Sequence, residues 1–336
     1  MKNQKRTLIL LCCQIMLFLF CFNIAELLAS DVLRKTPKIP KESSLYRTIE
    51  NAKSYIVKNQ NKDGGWPLVP GEKSDVEITA LAIWALTDAG WGTGSIVIRR
   101  GVRYLRNKQR KDGSWNNNTA HTIFALIALD NAKTDPDVQF NGLRWLKNAQ
   151  NPSGSWGRKS KSPGHILYTA ATLAGFKKLG FIQKHFEPIL SGMEWLAEQN
   201  NFENLWNLPG GTQSDIFVTS WVLQGLLHSS KYDHIVYDLD EQMVWLKQFQ
   251  NDDGGFGRFK GKPSDPEVTA AAIMALVAAN DPLNTKRIAV AYLTKTQEPD
   301  GGFVSDTPIE LKTPIANLQS TCFVLIAIYA KSDSDH

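Results

Sequence analysis

Two short acidic segments of this chain carry residue types that can donate a proton. They read DVEITA at 75–80 and DPEVTA at 265–270. A carboxylic acid in an apolar pocket stays protonated, and such an acid can transfer its proton to a bound substrate. The candidate catalytic acids are Asp75, Glu77, Asp265 and Glu267.

The same segments also match a structural device. Ser74 and Ser264 each stand three residues ahead of the glutamate, as in a capping box, where Ser and Glu satisfy the first free amides of a helix. The aspartates also complement the helix dipole. Because the pattern occurs twice, capping is favoured over catalysis, and both interpretations stay open.

Basic and histidine side chains form the next group of candidates. Arg258 and Lys262 lie in a polar turn after Gly254-Gly255-Phe256 and can hold a phosphate or anionic headgroup by charge, although solvated loop residues have the same composition. His121 falls inside an apolar segment, where a hydrogen-bonded core histidine is more common than a proton carrier.

These residues belong to a chain that repeats itself six times. Each copy has an aromatic and an aliphatic residue, then an amide, and then a second aromatic six residues after the amide. Successive amides are 49, 41, 50, 50 and 47 residues apart, which is typical of a repeat architecture. The amides are Gln60, Gln109, Gln150, Asn200, Gln250 and Gln297, and the aromatics are Trp66, Trp115, Trp156, Trp206, Phe256 and Phe303.

Two kinds of segment alternate between 45 and 331. An amphipathic segment ends at each amide, and an Ala/Leu/Ile-rich segment, too long for a strand, follows each second aromatic. A helix that is apolar all round is buried on all sides. The pattern therefore predicts an all-α fold of twelve helices without a sheet, with six buried inner helices wrapped by six outer ones. Glycine in the turn, in the left-handed conformation, ends the outer helix.

The repeat resembles the glutamine–tryptophan repeat of squalene–hopene cyclases and the related repeats of protein prenyltransferase β subunits. The resemblance covers residues 45–331. It implies an (α/α)6 toroid of six helical hairpins whose inner helices line an apolar cavity that holds an isoprenoid. Residues 75–80 resemble the Asp-rich motif of class II terpene cyclases, and Glu77 is in the position of the protonating acid. His165-Ile166-Leu167-Tyr168-Thr169 resembles the His-x-x-Tyr-Thr of prenyltransferases, which implies diphosphate binding by His165 and Tyr168.

The resemblance does not extend to the zinc ligands of prenyltransferases. Asp265 is retained, but Glu267 replaces the cysteine and Ser320 replaces the histidine. Activating a thiol on zinc needs the complete ligand set. We therefore expect no metal and no cofactor.

The N-terminal segment has the composition of an export signal. Basic residues precede an apolar run up to Phe22, and small residues end it near Ser30, so we predict a signal peptide at 1–30, a linker at 31–44 and a disordered tail at 332–336. Retention of the segment as a membrane anchor is the alternative. The remaining chain carries 35 Lys+Arg and 32 Asp+Glu, which argues against a nucleic-acid partner. It keeps one cysteine, Cys322, so no intramolecular disulfide forms.

The expected function is that of an exported, terpene cyclase-like toroid that binds an isoprenoid or another apolar small molecule and cyclises it by acid catalysis through Glu77, with association at a membrane surface. The first alternative is a binding module that retains the toroid without the chemistry. The second is a polysaccharide-acting enzyme, because Gly64-Gly65-Trp66-Pro67 is similar to a tetrapeptide of helical-toroid pectate lyases.

Overall fold

Every apolar segment of the repeat is an α-helix in the computed structural model, which describes residues 39–134, 136–180, 187–201, 203, 205–227, 239–281, 283–307 and 314–331. The chain divides after Ser43, and of the first unit the structure describes a short turn at 39–43. The predicted signal peptide and the predicted tail lie outside the described residues, and those boundaries stay predictions.

The second unit contains an inner and an outer set of helices. The inner helices are α2 (Val76–Asp88), α4 (Thr119–Asn131), α6 (Ile166–Lys178), α8 (Ile216–Leu226), α10 (Pro266–Ala278) and α12 (Leu318–Tyr329). The outer helices are α1 (Ser44–Lys58), α3 (Ile96–Lys108), α5 (Pro136–Ala149), α7 (Glu187–Glu198), α9 (Asp240–Gln248) and α11 (Leu283–Lys295).

The inner helices form a closed ring. Each inner helix packs on the next inner helix along the chain, and α12 packs on α2. The outer helices α3, α5, α7 and α11 pack on the inner helix that precedes them, while α1 packs on α12. The first helix of the unit therefore joins the last, and the prediction of an (α/α)6 toroid is confirmed.

The expectation of no sheet is wrong in one place. Strands β1 (Phe303–Ser305) and β2 (Ile315–Asn317) pair antiparallel in the sixth repeat, with Val304 opposite Ala316. This repeat has a longer connection between its aromatic and its inner helix than the others, and the two strands begin and end that connection. The Ala316 carbonyl accepts a hydrogen bond from the Tyr55 hydroxyl at 3.0 Å, which ties the ribbon to the first repeat.

The repeat turns join neighbouring hairpins as the sequence predicts. The Gln109 amide donates to the carbonyl of Gly113 at 3.0 Å and to that of Val138, in the next outer helix, at 2.9 Å. The indole N–H of Trp115 donates to the Leu105 carbonyl at the end of the preceding outer helix. Gly113 has φ +95°, the left-handed conformation expected there.

The centre of the ring is filled by aromatic side chains. Phe124 of α4 lies 6.3 Å from Trp84 of α2, 6.1 Å from Trp221 of α8 and 6.5 Å from Phe323 of α12, measured between ring centroids. The helices α4 and α8 are not neighbours, so these contacts cross the ring axis. All four side chains are buried. We call Trp84, Phe124, Trp221 and Phe323 the aromatic plug. The plug therefore occupies the ring axis at this level, and a cavity for an isoprenoid stays a prediction.

The C-terminal end of the inner ring is also bridged. Asp88 at the end of α2 accepts hydrogen bonds from the Trp84 indole at 2.8 Å and from Asn131 of α4 at 3.0 Å. Lys178 of α6 forms an ion pair with Asp88 at 3.1 Å. Three inner helices are thereby held together below the aromatic plug.

Candidate functional site

The N-terminal ends of the inner helices lie together at the opposite end of the ring. Contacts between first-turn residues join α2 to α4 and α10 to α12, whereas last-turn residues join α2, α4 and α6. We call this end the N-terminal mouth. Each inner helix begins with an N-cap residue at this end, and the caps are Asp75, Asn118, His165, Asp215, Asp265 and Asn317.

Glu77 and His121 form a pair at the N-terminal mouth. The Glu77 Oε2 atom lies 3.4 Å from His121 Nε2, and the two side chains are 26% and 15% exposed. The Asn116 amide nitrogen lies 3.1 Å from His121 Nδ1. An amide nitrogen only donates, so this contact fits the tautomer in which Nδ1 accepts and Nε2 carries the proton that faces Glu77. The ring is thus oriented to donate to the glutamate.

The capping-box interpretation of Glu77 is wrong. Asp75 is the N-cap of α2, and its Oδ1 accepts from the backbone N–H groups of Glu77 and Ile78 at 2.7 and 3.1 Å. The Ser74 hydroxyl instead donates to Asp63. Since Asp75 already caps the helix, Glu77 is the second helical residue and its carboxylate is directed at His121.

Glu267 has the same local sequence but a different environment. Asp265 caps α10 and Ser264 donates to Asp253, so no capping box forms there either. Glu267 is fully buried, and its carboxylate accepts from Gln319 Nε2 at 2.8 Å and Ser320 Oγ at 2.7 Å. Glu267 therefore joins α10 to α12 and is not exposed at the mouth.

Asp265 is also engaged in packing. Its carboxylate accepts from the Ser305 hydroxyl at 3.0 Å and from the Asp306 backbone N–H at 3.3 Å, in addition to its capping bonds. Burial raises the pKa of Asp265, although hydrogen bonds from Ser305 and from the backbone N–H groups of Val268 and Glu267 oppose the rise. Asp265 holds the end of β1 against α10.

The loops between the second aromatic of a repeat and its inner helix differ in length, and three of them contact the neighbouring repeat. Loop carbonyls of Leu68, Arg158 and Arg258 accept from the first N–H groups of α12, α4 and α8, each belonging to the neighbouring repeat. Only 116–118 separate Trp115 from α4 in the second repeat, and Asn116 and Asn117 have positive φ of 57° and 49°. The short loop places Asn116 against His121, the partner of Glu77.

His165 and Tyr168 lie together on α6, with ring centroids 5.1 Å apart. His165 Nδ1 accepts from the Leu167 backbone N–H at 3.2 Å, so this histidine is the N-cap of its helix. Burial lowers the pKa of His165, which keeps the ring neutral. Both side chains are half-buried at the mouth, and a diphosphate-binding role for them stays a prediction.

Arg258 and Lys262 have different environments, and an anion-binding role for them stays a prediction. The Arg258 Nε donates to Asp215 at 2.9 Å, and Asp215 is 2% exposed, so the guanidinium neutralises a buried cap. Lys262 lies on an exposed turn. Sequence reasoning missed Asp215 as the partner of Arg258 because the two residues are 43 positions apart.

Two further residues of the site, Asn116 and Gln319, also went unnoticed. The run Asn116-Asn117-Asn118 was a usable signal, because Asn tolerates the left-handed conformation that so short a loop requires. Nothing in the local sequence marks Gln319 as a partner of Glu267.

The residues that resemble zinc ligands have other roles here. Ser320 donates to Glu267, and burial raises the pKa of the Cys322 thiol, as expected for a packing residue. Within the described ranges, no three His, Cys, Asp or Glu side chains are grouped to hold a metal ion. In the same part of the chain, no helix has the length and apolar character needed to cross a membrane.

Comparison with known proteins agrees with this architecture. The model of the squalene–hopene cyclase C-terminal domain matches residues 32–124, 73–175 and 162–309. The chain belongs to this family, and it is a terpene cyclase-like toroid.

Three relatives illustrate the range of the family. Drimenyl diphosphate synthase from Streptomyces showdoensis is 25% identical over 85% of this chain and 54% of its own. Lanosterol synthase from Saccharomyces cerevisiae is 32% identical over 31% of this chain and 15% of its own. The chain thus spans about half the length or less of these relatives. A variant of the type II terpene cyclase MstE from Scytonema, bound to geranylgeranyl dihydroxybenzoate, has the same fold, with a TM-score of 0.68, 14% identity and coverage of 85% and 96% of the two chains.

Proposed function

We propose that this protein protonates a carbon–carbon double bond of an isoprenoid at the N-terminal mouth and so starts a cyclisation. The observation that carries the proposal is the Glu77 carboxyl, whose side chain is 26% exposed at the mouth and lies 3.4 Å from His121 Nε2. Glu267, with the same local sequence, is fully buried and offers no such access.

The chemistry requires a neutral carboxylic acid and a stabilised conjugate base. Glu77 gives its proton to one carbon of the double bond, and the other carbon becomes a cation. The electrons of the next double bond form a ring by attacking that cation. The last cation loses a proton to water and Glu77 is reprotonated from solvent, so the product is an isomer of the substrate. The Nε2–H of His121 stabilises the Glu77 carboxylate left behind.

The isoprenoid class is supported by the relatives. Their names identify a drimenyl diphosphate and a lanosterol synthase, and the structural neighbour was solved with a geranylgeranyl compound as its substrate. An apolar ligand also suits a mouth whose floor is the aromatic plug.

The test compares Glu77→Gln with Glu72→Gln, an exposed glutamate of the preceding loop. Both variants should unfold within about 1 kcal/mol of the wild type, because partly exposed ion pairs contribute little. Incubation with geranyl, farnesyl and geranylgeranyl diphosphates and with squalene, followed by mass spectrometry, detects cyclic isomers. Glu77→Gln should lower their formation at least about a hundredfold, and Glu72→Gln should not. Equal activity in the two variants would exclude Glu77 as the acid.

The alternative is a binding module without catalysis, which is favoured by the aromatic plug occupying the ring centre. Such a protein would release every isoprenoid unchanged, and Glu77→Gln would then affect neither product nor affinity. A polysaccharide substrate remains the third candidate, and a uronide oligomer bound to the protein isolated from its host would support it.

We also infer export from the N-terminal composition, with association at a membrane surface as a possible consequence of an apolar substrate. Determining the first residue of the protein recovered from its host tests this. A chain that starts at Met1 and remains in the cytosol would contradict it.

A further inference from the structure

We propose that the aromatic plug limits the site to the end of an isoprenoid chain, so that the rest of the ligand stays outside the ring. The inference rests on the proposed function for the ligand class. It adds a specificity determinant, and its central residue is Phe124.

The first argument is the distance along the helices from the N-terminal mouth to the plug. Phe124 follows His121 by three residues on α4, and Trp84 follows Glu77 by seven on α2. With a rise of 1.5 Å per residue, the plug lies about 5–10 Å below the mouth. An isoprenoid that entered at the mouth would therefore meet the plug after its terminal part had passed Glu77, and its remaining units would stay at the rim.

The second argument is that the side chains of the plug are tightly packed. Trp221 and Phe323, from α8 and α12, lie 5.8 Å apart in an edge-on arrangement, and Phe217 packs on Trp221 at 6.4 Å. The plug side chains are between 4% and 8% exposed. A ligand that entered more deeply would have to displace rings held by several helices at once.

The third argument is that the plug is supported from below. Trp84 donates to Asp88, which is paired with Lys178, and the Lys178 ammonium lies 5.6 Å from the Trp84 ring. The ring of Trp84 is therefore fixed at its polar end as well as by packing. A side chain so anchored cannot swing aside without breaking the bridge between α2 and α6.

Removing Phe124 should allow a ligand to extend further along the ring axis. This ring contacts the other three members of the plug, so its loss opens the axis between them. Cavities left by truncating large apolar side chains stay dry and bind apolar ligands. Phe176 offers a matched control, because it is a fully buried phenylalanine of inner helix α6 that packs on Trp156 and not on the axis.

The experiment measures affinity by calorimetry for geranyl, farnesyl and geranylgeranyl diphosphates, all in the Glu77→Gln background so that no turnover occurs. The common headgroup cancels, and differences report how much of the chain is buried. We expect the three affinities to agree within about threefold with Phe124 present. With Phe124→Ala, geranylgeranyl diphosphate should bind about tenfold or more tightly than geranyl diphosphate, because the longer chain then buries additional apolar area. With Phe176→Ala, the affinities for the three diphosphates should still agree within about threefold.

A steep rise of affinity with chain length when Phe124 is present would overturn the inference, and so would a flat series in a folded Phe124→Ala protein. If circular dichroism shows that Phe124→Ala is unfolded, Phe124→Leu replaces it. Benzene binding provides a check that needs no isoprenoid, since benzene should bind to Phe124→Ala and not to the protein with an intact plug. Failure of all three diphosphates to bind would count against the proposed ligand class, while benzene binding would still decide whether the ring centre is filled.

Discussion

The backbone N–H of Trp66 donates to the Thr79 hydroxyl oxygen at 2.9 Å, across the turn that joins an outer to an inner helix. The same bond occurs in all six repeats, from the second aromatic to a threonine one turn into the inner helix. The hydroxyl satisfies a buried amide that belongs to neither helix, and thereby fixes the aromatic over the hairpin. The threonines are Thr79, Thr122, Thr169, Thr219, Thr269 and Thr321.

Thr79→Val should destabilise the protein by about 1–3 kcal/mol, because it leaves the buried N–H of Trp66 without an acceptor. Thr172→Val is the control. Thr172 is equally buried and its hydroxyl also donates to a carbonyl four residues earlier, but it accepts no bond from a turn aromatic. Its replacement should cost less than about 1 kcal/mol. Urea unfolding measures both, and equal losses would show that the aromatic–threonine bond is not special.

Gly64→Ala should be more damaging than Gly71→Ala. Both glycines have positive φ, 92° and 89°, so alanine costs about 1–2 kcal/mol of backbone strain at either position. A Cβ at Gly64 would also lie 2.5 Å from the Arg100 carbonyl oxygen, whereas nothing lies within 4 Å of one at Gly71. We expect about 1–3 kcal/mol of additional loss for Gly64→Ala from that overlap. Thermal unfolding of the two variants is the measurement, and a common loss would mean that the turn does not pack on α3.

Arg258→Ala should lower the free energy of unfolding of the protein rather than its affinity for a ligand. It leaves the Asp215 carboxylate buried without its ion-pair partner, which costs about 3–5 kcal/mol. Lys262→Ala, on the exposed part of the same turn, should stay within about 0.5 kcal/mol of the wild type. Chemical unfolding together with titration of geranylgeranyl diphosphate separates the roles. Loss of affinity at unchanged stability in both variants would restore Arg258 as a headgroup ligand.

His165 should make the fold sensitive to mild acid. Because burial lowers its pKa in the folded protein, the unfolded chain binds a proton more readily below the ordinary value of 6.5. Stability contributed by the neutral ring is therefore complete above that pH and is lost as pH falls from 6.5 towards the folded pKa. His165→Asn keeps a side chain that caps helices and removes the titration. Unfolding followed from pH 7 to 5 should fall less steeply for His165→Asn than for the wild type, and identical slopes would contradict this.

Much of the fold could be predicted from the sequence because the determinants are local. Glycine in the turn, an amide before it and an aromatic after it set the dihedral angles and hydrogen bonds of each hairpin, and apolar composition identifies the inner helices. Six copies of this hairpin then complete one ring. The threonine of each inner helix repeats as regularly as the aromatic, and it could have been found in the same way.

The candidate site was only half predictable from the sequence. Glu77 could be selected as an acid, but its partner His121 is 44 residues away and reaches it only because α2 and α4 are neighbours in the ring. The two Asp-x-Glu segments are nearly identical, yet one glutamate is partly exposed and the other fully buried. Loop length and the partners on adjacent helices make that difference, and neither is encoded within the segment itself.

The repeat, the helical hairpins and the residues that can donate protons could be identified from the amino-acid sequence alone, since each follows from interactions over a few positions. The tertiary structure, in contrast, leaves the Glu77 side chain 26% exposed beside a three-residue loop and covers Glu267 with Gln319 and Ser320. It also decided that Phe124 meets Trp221 and Phe323 across the ring axis. Those outcomes depend on the direction in which each helix face points once the ring has closed, and closure is a property of all six repeats together.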